Sequence, residues 1–271
     1  ARFAKFDWPR FDNPKIHFPV DEAENARLDA CEAATLDSIR AHAEANPDTM
    51  AAIIMEPIQG EGGDNHFRDS FLRDMRSVCD EVGALYIFDE VQTGMGATGK
   101  MWAHQHSSVE PDMIAFGKKS QVCGLMAGPR LKEFDDNVFA TSSRINSTWG
   151  GNLTDFVRAR LILETIERDD LVRNAEVVGA ELIAGLNEFG TSHEMVSSVR
   201  GRGLFAAFTL PSQDIRNRFN SACLEAGMHV LNSGTQSIRL RPSLTFSSDE
   251  VNEGLNILES VANSIESSAV A

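Results

Sequence analysis

Three short apolar runs constrain the fold more than anything else in this chain. Ala51 to Glu56, Ala84 to Phe88 and Met113 to Phe116 are too short for helices, and the last two are closely bounded by Gly, Pro and Asp. Phe67 to Val82 places Phe71, Leu72, Met75, Val78 and Cys79 at helical spacing with Gly83 at its end, which predicts an amphipathic helix between the first two runs. Strand, helix and strand in succession imply a right-handed crossover and a parallel sheet. Ligands of such sheets collect in the crevice outside the carboxyl ends of the strands. Asp89 leaves the second run at that end and Lys118 leaves the third. An aspartate and a lysine in one crevice suit pyridoxal phosphate, which needs a lysine for its Schiff base and an acidic partner for its pyridinium nitrogen.

The rest of the chain reads as helices and a second sheet. Residues 1 to 20 lack periodicity, and Asp21 is placed to cap a helix running towards Ala45, which Asn46-Pro47 ends. Asn152 to about Asn187 is helix-rich with a break near Asp169-Asp170, which puts a boundary near residue 170. Beyond it, two strands around a glycine turn are expected within Ser197 to Leu210 and a helix at Ile215 to Ala226. Strands at His229 to Leu231 and Ser237 to Leu240 and a final helix from Asp249 to about Ile265 complete the unit. The expected fold class is α/β: residues 1–170 with a mainly parallel sheet, then a smaller α+β domain over 171–271.

A net charge of −15 argues against nucleic acid or an anionic membrane as partner, since both require clustered positive charge. No apolar run reaches membrane-spanning length. Cys31, Cys79, Cys123 and Cys223 are too dispersed for a zinc site or a disulfide scaffold, which fits a reducing cytoplasm. His66, His104 and His106 lack a metal-ligand spacing and are expected to be structural or surface residues, so no metal is expected. Cys123 is expected to be a small buried thiol.

Four segments carry a resemblance. Glu56-Pro-Ile-Gln-Gly-Glu61-Gly-Gly63, Phe88-Asp-Glu-Val-Gln-Thr-Gly94, Pro111-Asp-Met-Ile-Ala-Phe-Gly-Lys118 and Ser147-Thr-Trp-Gly-Gly-Asn152, in this order, resemble the class III aminotransferases of the fold-type I pyridoxal-phosphate group. The resemblance implies that Lys118 holds the cofactor and serves as general base and acid, and that Asp89 pairs with the pyridine nitrogen. It implies that Val91 packs on the ring, that Gln92 lies near its phenolic oxygen, and that Ser147 and Thr148 reach the cofactor phosphate of the other subunit of a homodimer. It also gives Glu61 and Arg239 to the substrate. Spacing alone leaves rivals for several of these roles. Lys118 reads equally as a solvated lysine beside Lys119, Asp89 as a helix cap, Asn152 or Thr154 as the cap of the next helix, and Arg241 shares the face of Arg239 if the segment is a strand.

Phe116-Gly-Lys-Lys-Ser-Gln-Val-Cys-Gly124, Asn137-Val-Phe-Ala140 and the Arg144 to Asp155 segment are similar to the members of the family that act on the ε-amino group of L-lysine. That similarity implies 2-oxoglutarate as acceptor, with 2-aminoadipate 6-semialdehyde and glutamate as products. Ornithine, acetylornithine or 4-aminobutyrate as donor, or a non-catalytic remnant, are the alternatives. The family's phosphate-binding Gly/Ser/Thr loop and ring-stacking aromatic would precede Ala1, so the chain is expected to be the carboxyl-terminal part of such an enzyme and inactive by itself.

Overall fold

In the computed structural model, which describes residues 6–145, 148 and 150–270, the first helix begins at its expected cap. The Asp21 side chain accepts from Glu24 N at 2.8 Å, and α1 runs Glu22–Ala45. There follow β1 (Ala52–Met55), α2 (Asp69–Glu81), β2 (Leu85–Asp89), the short α3 (His104–Ser107), β3 (Met113–Phe116) and β4 (Gly124–Ala127). The sheet order is β1-β2-β3-β4. The first three strands are parallel, with Ile54 opposite Ile87 and Phe88 opposite Ile114. Both helices supply one core with the sheet, in which Ile39, Phe71, Met75 and Val78 surround Tyr86 and Phe88.

β4 was not foreseen. It runs antiparallel to β3, pairing Gly124 with Phe116, after a 3₁₀ turn at Lys118–Ser120 reverses the chain. Its sequence, Gly-Leu-Met-Ala, contains no β-branched residue, so propensity gives no signal there.

Asn152, rather than Thr154, caps α4 (Leu153–Arg168) by accepting from Thr154 N at 2.9 Å. The chain breaks at Asp170, which is left-handed at φ 49°, before α5 (Leu171–Ser192). The remainder is β5 (Ser197–Arg202), β6 (Phe205–Thr209), α6 (Gln213–Glu225), β7 (Leu231–Ser233), β8 (Ser237–Leu240) and α7 (Ser248–Val270). These strands form an antiparallel sheet ordered β5-β6-β8-β7. Gly203 turns the β5–β6 hairpin at φ 58°, and α5 passes so close that a Cβ on Gly179 would lie 2.2 Å from the Gly203 carbonyl carbon.

The strand expected at His229 to Leu231 lies later, at Leu231–Ser233. The reason is local. Met228 N closes α6 on Cys223 O at 2.8 Å, and Asn220 Nδ2 takes the Val230 carbonyl at 3.0 Å, so pairing with β8 begins only at Leu231.

His193, 3% exposed, ties the end of α5 to α7. Its Nδ1 lies 2.9 Å from Glu266 Oε2, and its Nε2 lies 3.1 Å from Glu259 Oε2 without hydrogen-bond alignment. Burial alone would lower its pKa, but the contacts with Glu266 and Glu259 outweigh burial and raise it above the ordinary 6.5. The folded pKa is the higher one. The contribution is therefore complete below the unfolded value and is lost as pH rises through the folded value. His193→Gln is expected to lower unfolding free energy by about 1 kcal/mol at pH 6 and by less at pH 8.5, a small figure because both glutamates are partly solvated. Urea unfolding at the two pH values checks this, and equal losses at both would remove the charge from the account.

No helix among the described residues is long and apolar enough to cross a membrane.

Candidate active site

Asp89 ends β2 beside Ala115 of β3, and Glu90 N continues the ladder to Ala115 O at 2.9 Å. The Asp89 carboxylate does not cap a helix, because the next helix is α3. Its Oδ1 accepts from Val91 N at 3.0 Å, and its Oδ2 takes no hydrogen bond among the described residues. β3 leaves through Gly117, where a Cβ would lie 2.9 Å from Cys123 Sγ, into Lys118 at φ 52°. A left-handed non-glycine residue at a strand exit is a mark of functional sites. Cys123 is exposed rather than buried, because it enters the outermost strand of the sheet.

The two lysines differ in what holds them. Lys118 is exposed, and its Nζ has no hydrogen bond or ion pair among the described residues. Lys119 Nζ donates to Gln92 O at 2.5 Å and Gly94 O at 3.2 Å, and burial, with Arg241 and Lys118 adding to it, pushes its pKa down to about 8. Only Lys118 presents a free amine; Lys119 pins the turn that follows Asp89.

Glu90, beside Asp89, is 1% exposed and structural. It accepts from Thr93 Oγ1, Ala103 N and His104 N, and His104 Nδ1 lies 3.0 Å away. His106 contacts Thr98, and His66 is buried, which pulls its pKa down to about 3 with Arg202, Arg200 and Arg241 assisting. Among the described residues no group of His, Cys, Asp or Glu is arranged to hold a metal ion.

The loop between β1 and α2 carries Glu61, whose side chain is 76% exposed. Glu61 Oε2 meets Arg239 Nη2 of β8 at 2.8 Å, and Arg239 is only 14% exposed. Arg239 Nε and Nη1 are buried and have no partner. Buried donors of this kind are costly unless something else accepts from them. Arg241, the rival by spacing, has both outer nitrogens engaged elsewhere and only Nε without a partner: it pairs with buried Asp64, lies 3.2 Å over the Phe205 ring and donates to Leu240 O at 2.8 Å.

Glu56 was not singled out from the sequence as a site residue, yet it directly follows β1 and lies level with Asp89 at the end of β2. Its Oε2 accepts from Gly60 N at 2.9 Å. Burial raises its pKa with Asp89 adding, while the Gly60 contact, Lys118 and Arg239 oppose the rise. Glu56 thus lies within electrostatic reach of Asp89, Lys118 and Arg239, near the carboxyl ends of the parallel strands. Val91 is half-buried, and the Gln92 amide lies over Gly60, where a Cβ would come within 2.5 Å of it. Thr148 is exposed and has no hydrogen bond to this group; Ser147 and Trp149 lie outside the described residues. A recess of about 350 Å³ lined by Met101, Leu163, Ile166, Glu167, Asp170 and Val172 contains none of these residues.

A free lysine amine, an aspartate with one unengaged oxygen and an arginine with orphaned buried donors fit pyridoxal phosphate and a carboxylate-bearing substrate.

Residues 3–262 match the family described as aminotransferase class-III. The L-lysine-epsilon aminotransferase of Mycobacterium bovis is 49% identical over 261 residues, which are 96% of this chain and 58% of that protein. The mitochondrial 4-aminobutyrate aminotransferase of Sus scrofa is 35% identical over 261 residues, 94% of this chain and 51% of that protein. Among solved structures, the lysine aminotransferase from M. tuberculosis in the internal aldimine form superposes with a TM-score of 0.94 at 48% identity, over 98% of this chain and 60% of that one. The chain thus spans 51–58% of the length of these two sequence relatives.

Proposed function

We propose that this chain, which belongs to the class III aminotransferases, serves an enzyme that moves the ε-amino group of L-lysine to 2-oxoglutarate, giving 2-aminoadipate 6-semialdehyde and glutamate. The observation that carries the reading is Arg239: a guanidinium with two buried donors unused, paired with an exposed glutamate, and within electrostatic reach of Glu56 as Lys118 and Asp89 are. The higher identity to the lysine enzyme, 49% against 35% for the 4-aminobutyrate enzyme, favours lysine as donor.

Lys118 and Asp89 would hold pyridoxal 5′-phosphate, which when bound would supply an electrophilic carbonyl and an electron sink. The Asp89 carboxylate, fixed by Val91 N, would hold a proton at the ring nitrogen with its free oxygen. Lys118 would hold the group through Nζ, and the same amine, when free, would accept and carry the proton that leaves the substrate carbon bearing the amino group. Val91 would pack on the ring face, Gln92 would donate near the phenolic oxygen, and Ser147 and Thr148 would reach the phosphate of a partner subunit. A homodimer is supported by the exposed apolar residues Leu153, Phe156, Val157 and Leu161 of α4. A domain boundary at 170/171 is supported by the break at Asp170, and a cytoplasmic setting by four free cysteines.

Lysine presents an amine far from its carboxylate, whereas 2-oxoglutarate reacts at a carbon next to one. Glu61 masks Arg239 for the first substrate and swings away for the second. Because Glu61 is exposed, the ion pair itself contributes little stability, and the effect lies in substrate binding. In the full-length holoenzyme, Glu61→Ala is expected to weaken the lysine half-reaction more than the glutamate one. Arg239→Ala should do the opposite, by about 2–5 kcal/mol for a lost buried charged contact. Single-turnover measurement of both half-reactions decides it, and parallel losses would make the pair structural.

A further inference from the structure

β8 and its continuation deliver two guanidiniums, Arg239 and Arg241, to the loop between β1 and α2; Arg239 keeps two buried donors free, Nε and Nη1, whereas Arg241 keeps only Nε and has its outer nitrogens taken by Asp64 and by backbone carbonyls. The difference is made by Asp64, three residues after Glu61 in that loop. We propose that Asp64 is the positioning residue that makes Arg239, and not Arg241, the carboxylate-binding arginine: it holds Arg241 in a buried ion pair and anchors the loop so that Glu61 lies over Arg239. The inference rests on the gate reading of Glu61 and Arg239.

The loop is fixed from both sides. Gln59 and Asn65 exchange backbone hydrogen bonds at 3.0 and 2.9 Å across its neck. From the second sheet, Gly234 N donates to Glu61 O at 2.9 Å, and Arg200 donates to Gly63 O at 2.5 Å and Asp64 O at 2.8 Å. Asp64 itself is 1% exposed and left-handed at φ 51°, so its carboxylate is turned inward to Arg241. Burial pushes its pKa up to about 6 against the pull of Arg241, Arg200 and Arg239, which leaves it ionised at neutral pH.

Asp64 is thus the buried counter-charge of a three-arginine cluster. Without its charge, Arg241 is a 15%-exposed guanidinium lacking a counterion. It would be free to recruit another carboxylate, that of Glu61 on the same loop or of a bound dicarboxylate, because an unpaired buried charge is strongly disfavoured. Two arginines would then compete for a task that the gate requires one to perform.

Glutarate, a dicarboxylate with no carbonyl to react, reads this directly by calorimetry on the full-length holoenzyme. Asp64→Asn is expected to bind glutarate roughly tenfold more tightly. In single turnover, the lysine half-reaction should need more substrate for saturation while its saturated rate stays nearly unchanged. The double variant Asp64→Asn/Arg241→Met should return glutarate affinity to the wild-type value. Unchanged affinity in Asp64→Asn overturns the inference, as does tightening that persists in the double variant.

If Asp64→Asn does not fold, Arg241→Met carries the test, since Asp64 is then free to occupy Arg239 and glutarate should bind more weakly; unchanged affinity there overturns the inference as well. Glu61→Ala, measured alongside, reads the gate alone. No tightening in that variant sinks the gate and this inference with it, whereas tightening there with none in Asp64→Asn sinks only the role of Asp64.

Discussion

Lys118→Ala should abolish transamination in the full-length enzyme without unfolding it, lowering the single-turnover rate by at least about 10²–10⁴-fold, the contribution of a positioned general acid and base. The fold is expected to survive because the Lys118 side chain is exposed and bonds nothing among the described residues. Its backbone already sits at φ 52°, so alanine inherits the strain and adds none. Lys119→Ala is the control. Its amine holds the carbonyls of Gln92 and Gly94, so its loss should loosen the turn after Asp89 and lower stability, yet leave the covalent site intact. Borohydride reduction of holoenzyme and peptide mapping should place the label on Lys118. A label on Lys119 would reverse the assignment that the two environments support.

The two lysines also show where sequence reading stops. Spacing could not separate them, because what separates them is a pair of carbonyls 25 and 27 positions earlier. Locally determined features were legible: the Asp21 cap, the three parallel strands, and the helix between the first two all follow from residues within one element. β4 was not, since its pairing depends on the turn at Lys118–Ser120 rather than on its own composition. β7 began two residues late because Asn220, ten positions away, claims a carbonyl. The Glu61–Arg239 pairing came from resemblance to a family, not from spacing. Asp64 escaped altogether, because its partner lies 177 positions along the chain and nothing in Gly-Gly-Asp-Asn announces a buried carboxylate.

Asp89→Asn should retain the fold and some cofactor binding but lose about 10²–10³-fold in the chemical step, the scale set by removing one preorganised electrostatic group. The amide carbonyl can replace Oδ1 as acceptor for Val91 N, so the local turn is kept. At the other position an NH₂ group replaces the free carboxylate oxygen. It can donate to an unprotonated ring nitrogen, but it cannot stabilise a proton there. The loss should therefore fall on proton removal from the substrate carbon, with a larger primary isotope effect when that carbon carries deuterium and little change in substrate saturation. Near-normal turnover would take Asp89 out of the mechanism. Glu90→Gln gives the contrast one residue away. That carboxylate is buried and accepts from Thr93, Ala103 and His104, so its replacement should lower stability by about 1–3 kcal/mol through unsatisfied donors. Two adjacent acids leaving the same strand should thus fail in different ways, Asp89 in rate and Glu90 in folding, because only one of them faces the crevice with an oxygen to spare.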